Sequence, residues 1–175
     1  MAIKPFVKWA GGKGCIAVQL NSMLPLDFDS QEDITYVEPF VGGGALLFTI
    51  LQKHNNIKRV VINDINRDLI YTYRLIKENP GRLIKLTDVL QNAYLNKDCE
   101  GKKRMYYAER ERYNKEDIDV IQRSALFLFL NHTCFNGLYR VNSKGLFNVP
   151  FGQYESPVIC VEIPKQTDPL VPIST

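Results

Sequence analysis

The first third of the chain contains short apolar runs separated by polar turns. Residues 35–40 are rich in β-branched or aromatic side chains, which predicts a buried strand, and the β-branched run at 59–64 predicts a second strand. Residues 45–51, which lie between them, are apolar on nearly every side, as expected of a helix packed against a sheet. This order of strand, turn, helix and strand predicts the start of a doubly wound α/β fold.

After residue 66 the apolar positions recur at the spacing of a helix instead of a strand. Four helices are predicted, over residues 68–77, 82–94, 102–113 and 117–132. A helical block therefore interrupts the α/β pattern.

A segment rich in glycine, asparagine and aromatic residues follows at 135–154. Its residues 142–145, Asn-Ser-Lys-Gly, have the composition of a turn between two short runs, which predicts a protruding β-hairpin. Residues 155–175 contain four of the nine prolines and show no helix or strand pattern. We expect an irregular tail there.

Composition narrows the class of protein without naming a ligand. At 175 residues and 45% hydrophobic, the chain can form one domain with a substantial core. The net charge of +3 permits a nucleic-acid partner without requiring one. The four cysteines are scattered without a CxxC pair, which argues against a zinc site and a disulfide scaffold. With no membrane-length apolar run and no signal peptide, we expect a soluble cytoplasmic protein that needs no metal.

The glycine cluster Gly42, Gly43 and Gly44 separates the first strand from the helix. Glycine has no Cβ, so such a turn lets backbone N–H groups approach a ligand. Asp64 follows 22 residues after Gly42, where an acid that binds ribose hydroxyls is expected. Two alternatives remain open, because the glycines can form a purely structural turn and Asp64 can be a helix N-cap.

The pattern discriminates among nucleotide cofactors. Neither glycine cluster is followed by Lys and then Ser or Thr at P-loop spacing, which disfavours a nucleoside triphosphate. A dinucleotide-binding G-x-G-x-x-G would need glycine where Leu47 stands. S-adenosylmethionine, which has no pyrophosphate, is a better match than NAD.

Three blocks of sequence in one order resemble the Dam-type DNA adenine-N6 methyltransferases. They are KWAGGK at 8–13, EPFVGGGA at 38–45 with NDIN at 63–66, and NGLYR at 136–140 running into FNVPFGQY at 147–154. The resemblance implies a Rossmann-like S-adenosylmethionine-dependent methyltransferase fold with an incomplete sheet. It implies a cofactor-binding part at 1–65, a helical target-recognition insertion at 66–155 with its hairpin at 135–150, and a divergent tail at 156–175.

The resemblance also implies site residues. Trp9 and Lys13 would lie against the methyl donor, Phe40 and Gly42 to Gly44 would form the cofactor turn, and Asp64 would hold the ribose.

For double-stranded DNA, the implied contacts come from the hairpin. Arg140 can donate a pair of hydrogen bonds to guanine, and Asn136 can bind a base edge or a phosphate. One of the apolar or aromatic side chains could wedge between base steps, namely Phe135, Leu138 or Tyr139. Lys144 and Arg123 are candidate phosphate contacts. Phe147 and Phe151 are instead assigned to the hairpin's own core.

The family's catalytic tetrapeptide, Asp-Pro-Pro-Tyr, does not occur in the sequence. We therefore expect a bacterial or phage methyltransferase chain cut before this motif and inactive alone. A DNA-binding half-protein that needs a second chain carrying the motif is the alternative, and an NAD-binding Rossmann enzyme is a third. A role in restriction–modification, in a phage or in regulation stays open.

Overall fold

The computed structural model describes residues 4–12, 14, 16–115 and 117–159 and the backbone of residues 173–174. Within this part of the chain, three parallel strands form one small sheet in the order β1, β2, β3. They are β1 Ile34–Glu38, β2 Ile57–Ile62 and β3 Ile173–Ser174. The predicted α/β class is confirmed.

The first strand is covered on one face only. Side chains alternate along it, so Glu38 is buried while Val37 is 55% exposed. In the described part of the chain β1 has a single neighbour, β2. The prediction that this first strand is buried is therefore wrong for one of its two faces.

The short strand β3 was not predicted. It pairs in parallel with β2, with Val60 opposite Ile173 and Val61 opposite Ser174. Two residues are too few for a periodic pattern, and the pairing depends on the open edge of β2. The expectation of no element in 155–175 is therefore wrong at these two positions.

Helices make up nearly half of the described chain, and the four predicted after residue 66 are confirmed. The helices are α1 Ala17–Ser22, α2 Ala45–Lys53, α3 Arg67–Glu78, α4 Pro80–Leu95, α5 Cys99–Tyr113 and α6 Val120–Thr133. None of the helices in the described ranges is both long and apolar enough to cross a membrane.

Local chemistry explains where the helices of the block begin. The side chain of Asn66 caps α3 by accepting a hydrogen bond from the Leu69 N–H at 3.0 Å. Pro80 occupies the first turn of α4, where its missing N–H costs nothing, and Asp98 caps α5. Helix α6 packs against α3, α4 and α5 and is buried from Ser124 to Asn131.

The predicted hairpin turn is present, although the two arms pair at isolated bridges and not along full strands. Val141 pairs with Phe147 in an antiparallel bridge. The Asn142 carboxamide oxygen closes the turn by accepting hydrogen bonds from the Lys144 and Leu146 N–H groups. Asn114 of α5 holds the returning arm through two hydrogen bonds with the main chain of Phe147.

Candidate functional site

The glycine turn after β1 is compressed between two aromatic side chains. Gly42 and Gly44 have left-handed backbone angles, with φ of 52° and 80°. A Cβ on Gly42 would lie 2.9 Å from Cδ1 of Trp9, and one on Gly44 would clash with the Tyr73 hydroxyl. The turn therefore requires glycine for its backbone conformation and for the close approach of Trp9 and Tyr73.

Asp64 joins this turn to the end of β2. One of its carboxylate oxygens accepts a hydrogen bond from the Gly42 N–H at 3.0 Å, and the other accepts one from the Asn66 N–H at 2.9 Å. Asn66, not Asp64, is the N-cap of α3, so the N-cap alternative for Asp64 is wrong. A carboxylate has about four lone-pair positions, so Asp64 keeps capacity for further donors.

A cavity of about 210 Å³ opens at the glycine turn. Its lining combines the N-terminal loop, the end of β1 and the end of β2. Five of the predicted cofactor residues line it: Trp9, Phe40, Gly42, Gly43 and Asp64. Gly44 does not line it and instead precedes α2 as its N-cap residue. Lys13 lies outside the described residues.

Glu38 is a lining residue that the sequence analysis did not single out. It is only 5% exposed, ends β1 and faces the cavity. The Tyr36 hydroxyl donates a hydrogen bond to its carboxylate at 3.0 Å. The sequence did contain a signal for it. Like Asp64, Glu38 is an acid near the end of a predicted strand, and the glycine turn follows shortly after it.

Tyr73 supports the turn from the side of α3. Its hydroxyl donates a hydrogen bond to the Gly42 carbonyl oxygen at 3.1 Å. Burial, followed by the nearby carboxylates of Glu38 and Asp64, raises the pKa of Tyr73 well above its usual range. The phenol therefore stays protonated and remains a donor.

A second, wider cavity of about 850 Å³ adjoins the first, and Trp9, Phe40 and Asp64 line both. Its remaining wall comes from the start of α3, from the hairpin and from α6, and includes Asn66, Asp68, Tyr71, Arg123, Tyr139 and Val141. The hairpin and the glycine turn therefore face a common space.

Tyr139 lies inside this arrangement. Its ring stacks on Trp9 with the centroids 5.6 Å apart and the planes at 26°, and it also packs against Phe147. Phe147 is buried, as predicted for the core of the hairpin. This packing favours Phe135 and Leu138, which are 51% and 37% exposed, over Tyr139 as a wedge between bases.

Arg123 lines the second cavity with its side chain 31% exposed, and its guanidinium is bonded to neighbouring residues of the protein. The phosphate contact suggested for it stays a prediction. The Nε of Arg123 donates a hydrogen bond to Asp68 at 2.8 Å, and one Nη donates to the main-chain oxygens of Tyr113 and Lys115. The other oxygen of Asp68 accepts a hydrogen bond from the Tyr113 hydroxyl. Burial and the Asp68 charge raise the pKa of Tyr113 well above its usual range.

The outward side of the hairpin carries the other predicted DNA-contacting residues. Asn136, Arg140 and Lys144 are exposed, and Asn136 has a left-handed φ of 53°. Arg140 is aligned by Asn148, whose side-chain oxygen accepts from Nε at 2.8 Å and whose carbonyl accepts from one Nη at 3.2 Å. The guanidinium thus has a fixed orientation on the surface.

Among the described residues no group of three or more His, Cys, Asp or Glu side chains is placed to hold a metal ion.

A glycine turn after a parallel strand, with an acid from the next strand bonded to it, is the arrangement by which many α/β proteins bind nucleotide-type cofactors. The comparison with known families makes the class specific. The family model of the D12 class N6 adenine-specific DNA methyltransferases matches residues 9–167, and the chain belongs to this family. The resemblance seen in the sequence is confirmed.

Individual relatives share 36–48% of their residues with this chain in the matched regions. The chain is 48% identical over 161 residues to "Type II methyltransferase M.MjaIII" of Methanocaldococcus jannaschii, a match that covers 91% of this chain and 55% of the relative. It is 36% identical over 154 residues to "DNA adenine methylase" of Escherichia coli K12, covering 88% and 49%. It is 41% identical over 150 residues to "DNA N-6-adenine-methyltransferase" of Escherichia phage P1, a match that covers 86% of this chain and 18% of the relative. The chain thus spans about half the length of the first two.

Proposed function

We propose that this chain binds S-adenosylmethionine at the glycine turn and DNA through the hairpin, as part of an enzyme that methylates N6 of adenine. The observation that carries the cofactor proposal is the hydrogen bond from the Gly42 N–H to Asp64, which unites two sequence blocks at one cavity. Family membership supports the reaction class.

The residues present suit a nucleoside-type methyl donor. Asp64 offers acceptors for ribose hydroxyls, and Gly42 and Gly43 line the cavity with Trp9 packed closely against them. The first cavity, at about 210 Å³, is smaller than the roughly 300–1,000 Å³ usual for ligand pockets. The ligand would therefore extend past Asp64 into the second cavity.

The exposed hairpin residues suit the major groove of double-stranded DNA. Arg140 presents an oriented fork that matches the acceptors of guanine, while Phe135 and Leu138 expose apolar surface next to it. Lys144 at the tip supplies a phosphate contact. This assignment makes 66–155 the target-recognition insertion, 1–65 the cofactor part of a Rossmann-like domain, and 156–175 the tail. The compartment that fits this function is the cytoplasm of a prokaryotic cell, whether the gene belongs to the cell or to a phage that infects it.

We further propose that the transfer step uses residues outside the 175 present here. The sequence contains no Asp-Pro-Pro-Tyr or Asn-Pro-Pro-Tyr, the type of motif that holds the target amine toward the donor. The chain also spans only about half of the archaeal and bacterial relatives. A second polypeptide carrying that half is one way to supply it.

The single tryptophan of the chain gives a direct test of cofactor binding. Because Trp9 lines both cavities, S-adenosylmethionine should change its fluorescence in a saturable titration, and NAD should not. Asp64→Asn should weaken binding by about 10- to 100-fold, since a hydrogen bond to a charged group is worth about 1.5–3 kcal/mol. The exposed control Asp117→Asn should bind normally. Saturable binding of NAD alone would refute the proposal.

Two further measurements test the DNA part. Selection from a random-sequence duplex pool should enrich a short motif that contains guanine, and no enrichment would refute the assigned DNA interface. Radiolabelled methyl transfer should be absent with the purified chain alone. Adenine methylation by this chain would show that the transfer step lies within the 175 residues.

A further inference from the structure

Tyr139 lies between two residues that point the opposite way. Leu138 and Arg140 are exposed on the hairpin, whereas Tyr139 is partly buried against Trp9 and Phe147. Successive side chains in extended backbone alternate in direction, so this division follows from the local conformation. A ligand that holds Leu138 and Arg140 from outside would therefore act on the backbone that carries the ring of Tyr139 inside.

Trp9 carries the contact onward to the cofactor turn. Its ring stacks on Tyr139 on one side and lies against Gly42 on the other, so close that a Cβ on Gly42 would be 2.9 Å from Cδ1. Trp9 also lines both cavities. A ligand in either cavity therefore restricts the ring on which Tyr139 is stacked.

We propose that Tyr139 is a positioning residue that couples the hairpin to the cofactor cavity, through the stacking of its ring on Trp9. The inference rests on the proposed function, because it assumes that S-adenosylmethionine and DNA bind at these two places. When one ligand orders the Trp9–Tyr139 pair, the second binds an already ordered pair and loses less conformational entropy. Each ligand then increases the affinity for the other by the same factor.

The experiment measures that factor on the full chain. Calorimetry gives the dissociation constant of S-adenosylmethionine with and without the duplex enriched by random-sequence selection, and anisotropy gives that of the duplex with and without S-adenosylmethionine. We expect each ligand to lower the dissociation constant of the other by the same factor, within the range of about 5- to 150-fold usual for coupled sites. A factor of one in the unmodified chain would overturn the inference, while binding of both ligands would leave the proposed function intact.

Two variants separate the ring from the hydroxyl. Tyr139→Phe keeps the stack and should keep the coupling factor, whereas Tyr139→Leu should reduce it to about one while each ligand still binds alone. Loss of coupling in Tyr139→Phe, or its retention in Tyr139→Leu, would contradict the role of the ring. Val89→Ala, at an exposed position of α4 away from both cavities, is the control and should leave the factor unchanged. If Tyr139→Leu does not fold, the coupling factors of the unmodified chain and of Tyr139→Phe still test the inference, since a factor of one in either would contradict it.

Discussion

Asn131 exchanges two hydrogen bonds with the main chain of Lys8, 123 residues earlier in the sequence. The Lys8 N–H donates to the carboxamide oxygen at 2.8 Å, and the carboxamide nitrogen donates back to the Lys8 carbonyl at 2.8 Å. The same nitrogen donates to the Gly137 carbonyl at 3.1 Å. One buried amide thus attaches the loop that carries Trp9 to the base of the hairpin.

Replacing this amide should cost substantial stability. In Asn131→Ala the carbonyl of Gly137 and both main-chain groups of Lys8 lose their partner, and we expect the free energy of unfolding to fall by about 2–3 kcal/mol. Urea denaturation followed by circular dichroism measures the change. Asn96→Ala, at the exposed end of α4, should stay within about 0.5 kcal/mol. Equal effects of the two substitutions would show that the Asn131 bonds contribute little.

Features set by local sequence were predicted well. The helical block follows from apolar residues at helical spacing, and its starts carry recognisable caps such as Asn66 and Asp98. The glycine turn was predictable because the left-handed φ of Gly42 and Gly44 strongly favours glycine. Asp64 could be paired with that turn because the separation of about 20 residues is itself part of the pattern.

Features set by distant contacts were not predicted. Arg123 looks like a surface cation in sequence, and its role depends on Asp68, 55 residues away. Tyr139 looks equivalent to Leu138 until the hairpin register and the position of Trp9 are known. Glu38 becomes a lining residue only because one face of β1 is covered. No local pattern carries the first two relationships, and for Glu38 the local signal was limited to its place just before the glycine turn.

The Asp68–Arg123 ion pair should show a distinctive non-additivity. Its side chains are only 12% and 31% exposed, so Arg123→Met should destabilise the protein by about 2–3 kcal/mol by leaving the Asp68 charge poorly paired. Asp68→Asn should cost about 1 kcal/mol, because an amide oxygen still accepts from Arg123. The double variant should be more stable than Arg123→Met alone, because it no longer buries a charge. Additive losses in a double-mutant cycle would contradict this account.

His132 should make stability depend on pH. Burial is the main cause that lowers the pKa of His132 below its ordinary value, with Lys8 adding to it, while the hydrogen bond to the Phe6 carbonyl at 2.9 Å opposes it. The unfolded chain then binds the proton more readily than the folded chain, so stability is lost as the pH falls below about 6.5.

The comparison that isolates His132 uses His132→Gln, which keeps an N–H donor for Phe6. Urea titrations at pH 7 and pH 5 give the free energy of unfolding of the original chain and of the variant. Between pH 7 and pH 5 the original chain should lose up to about 2 kcal/mol more of this free energy than the variant does. The other histidine, His54, is present in both proteins and cancels. An unchanged difference between the two pH values would mean that His132 titrates equally in both states.

Arg140 and Asn148 give the sharpest prediction about DNA. Arg140→Lys keeps the charge and loses the planar fork, so discrimination against a wrong base in the selected duplex should fall by about 1–3 kcal/mol, roughly 5- to 150-fold, with little change in non-specific binding. Asn148→Ala should lower discrimination less, because it removes only the support that orients the guanidinium. Arg82→Lys, on the exposed start of α4, is the matched control and should change neither quantity. Competition binding at fixed salt between matched and mismatched duplexes measures the effect, and a uniform loss on both duplexes would assign Arg140 to a phosphate instead of a base.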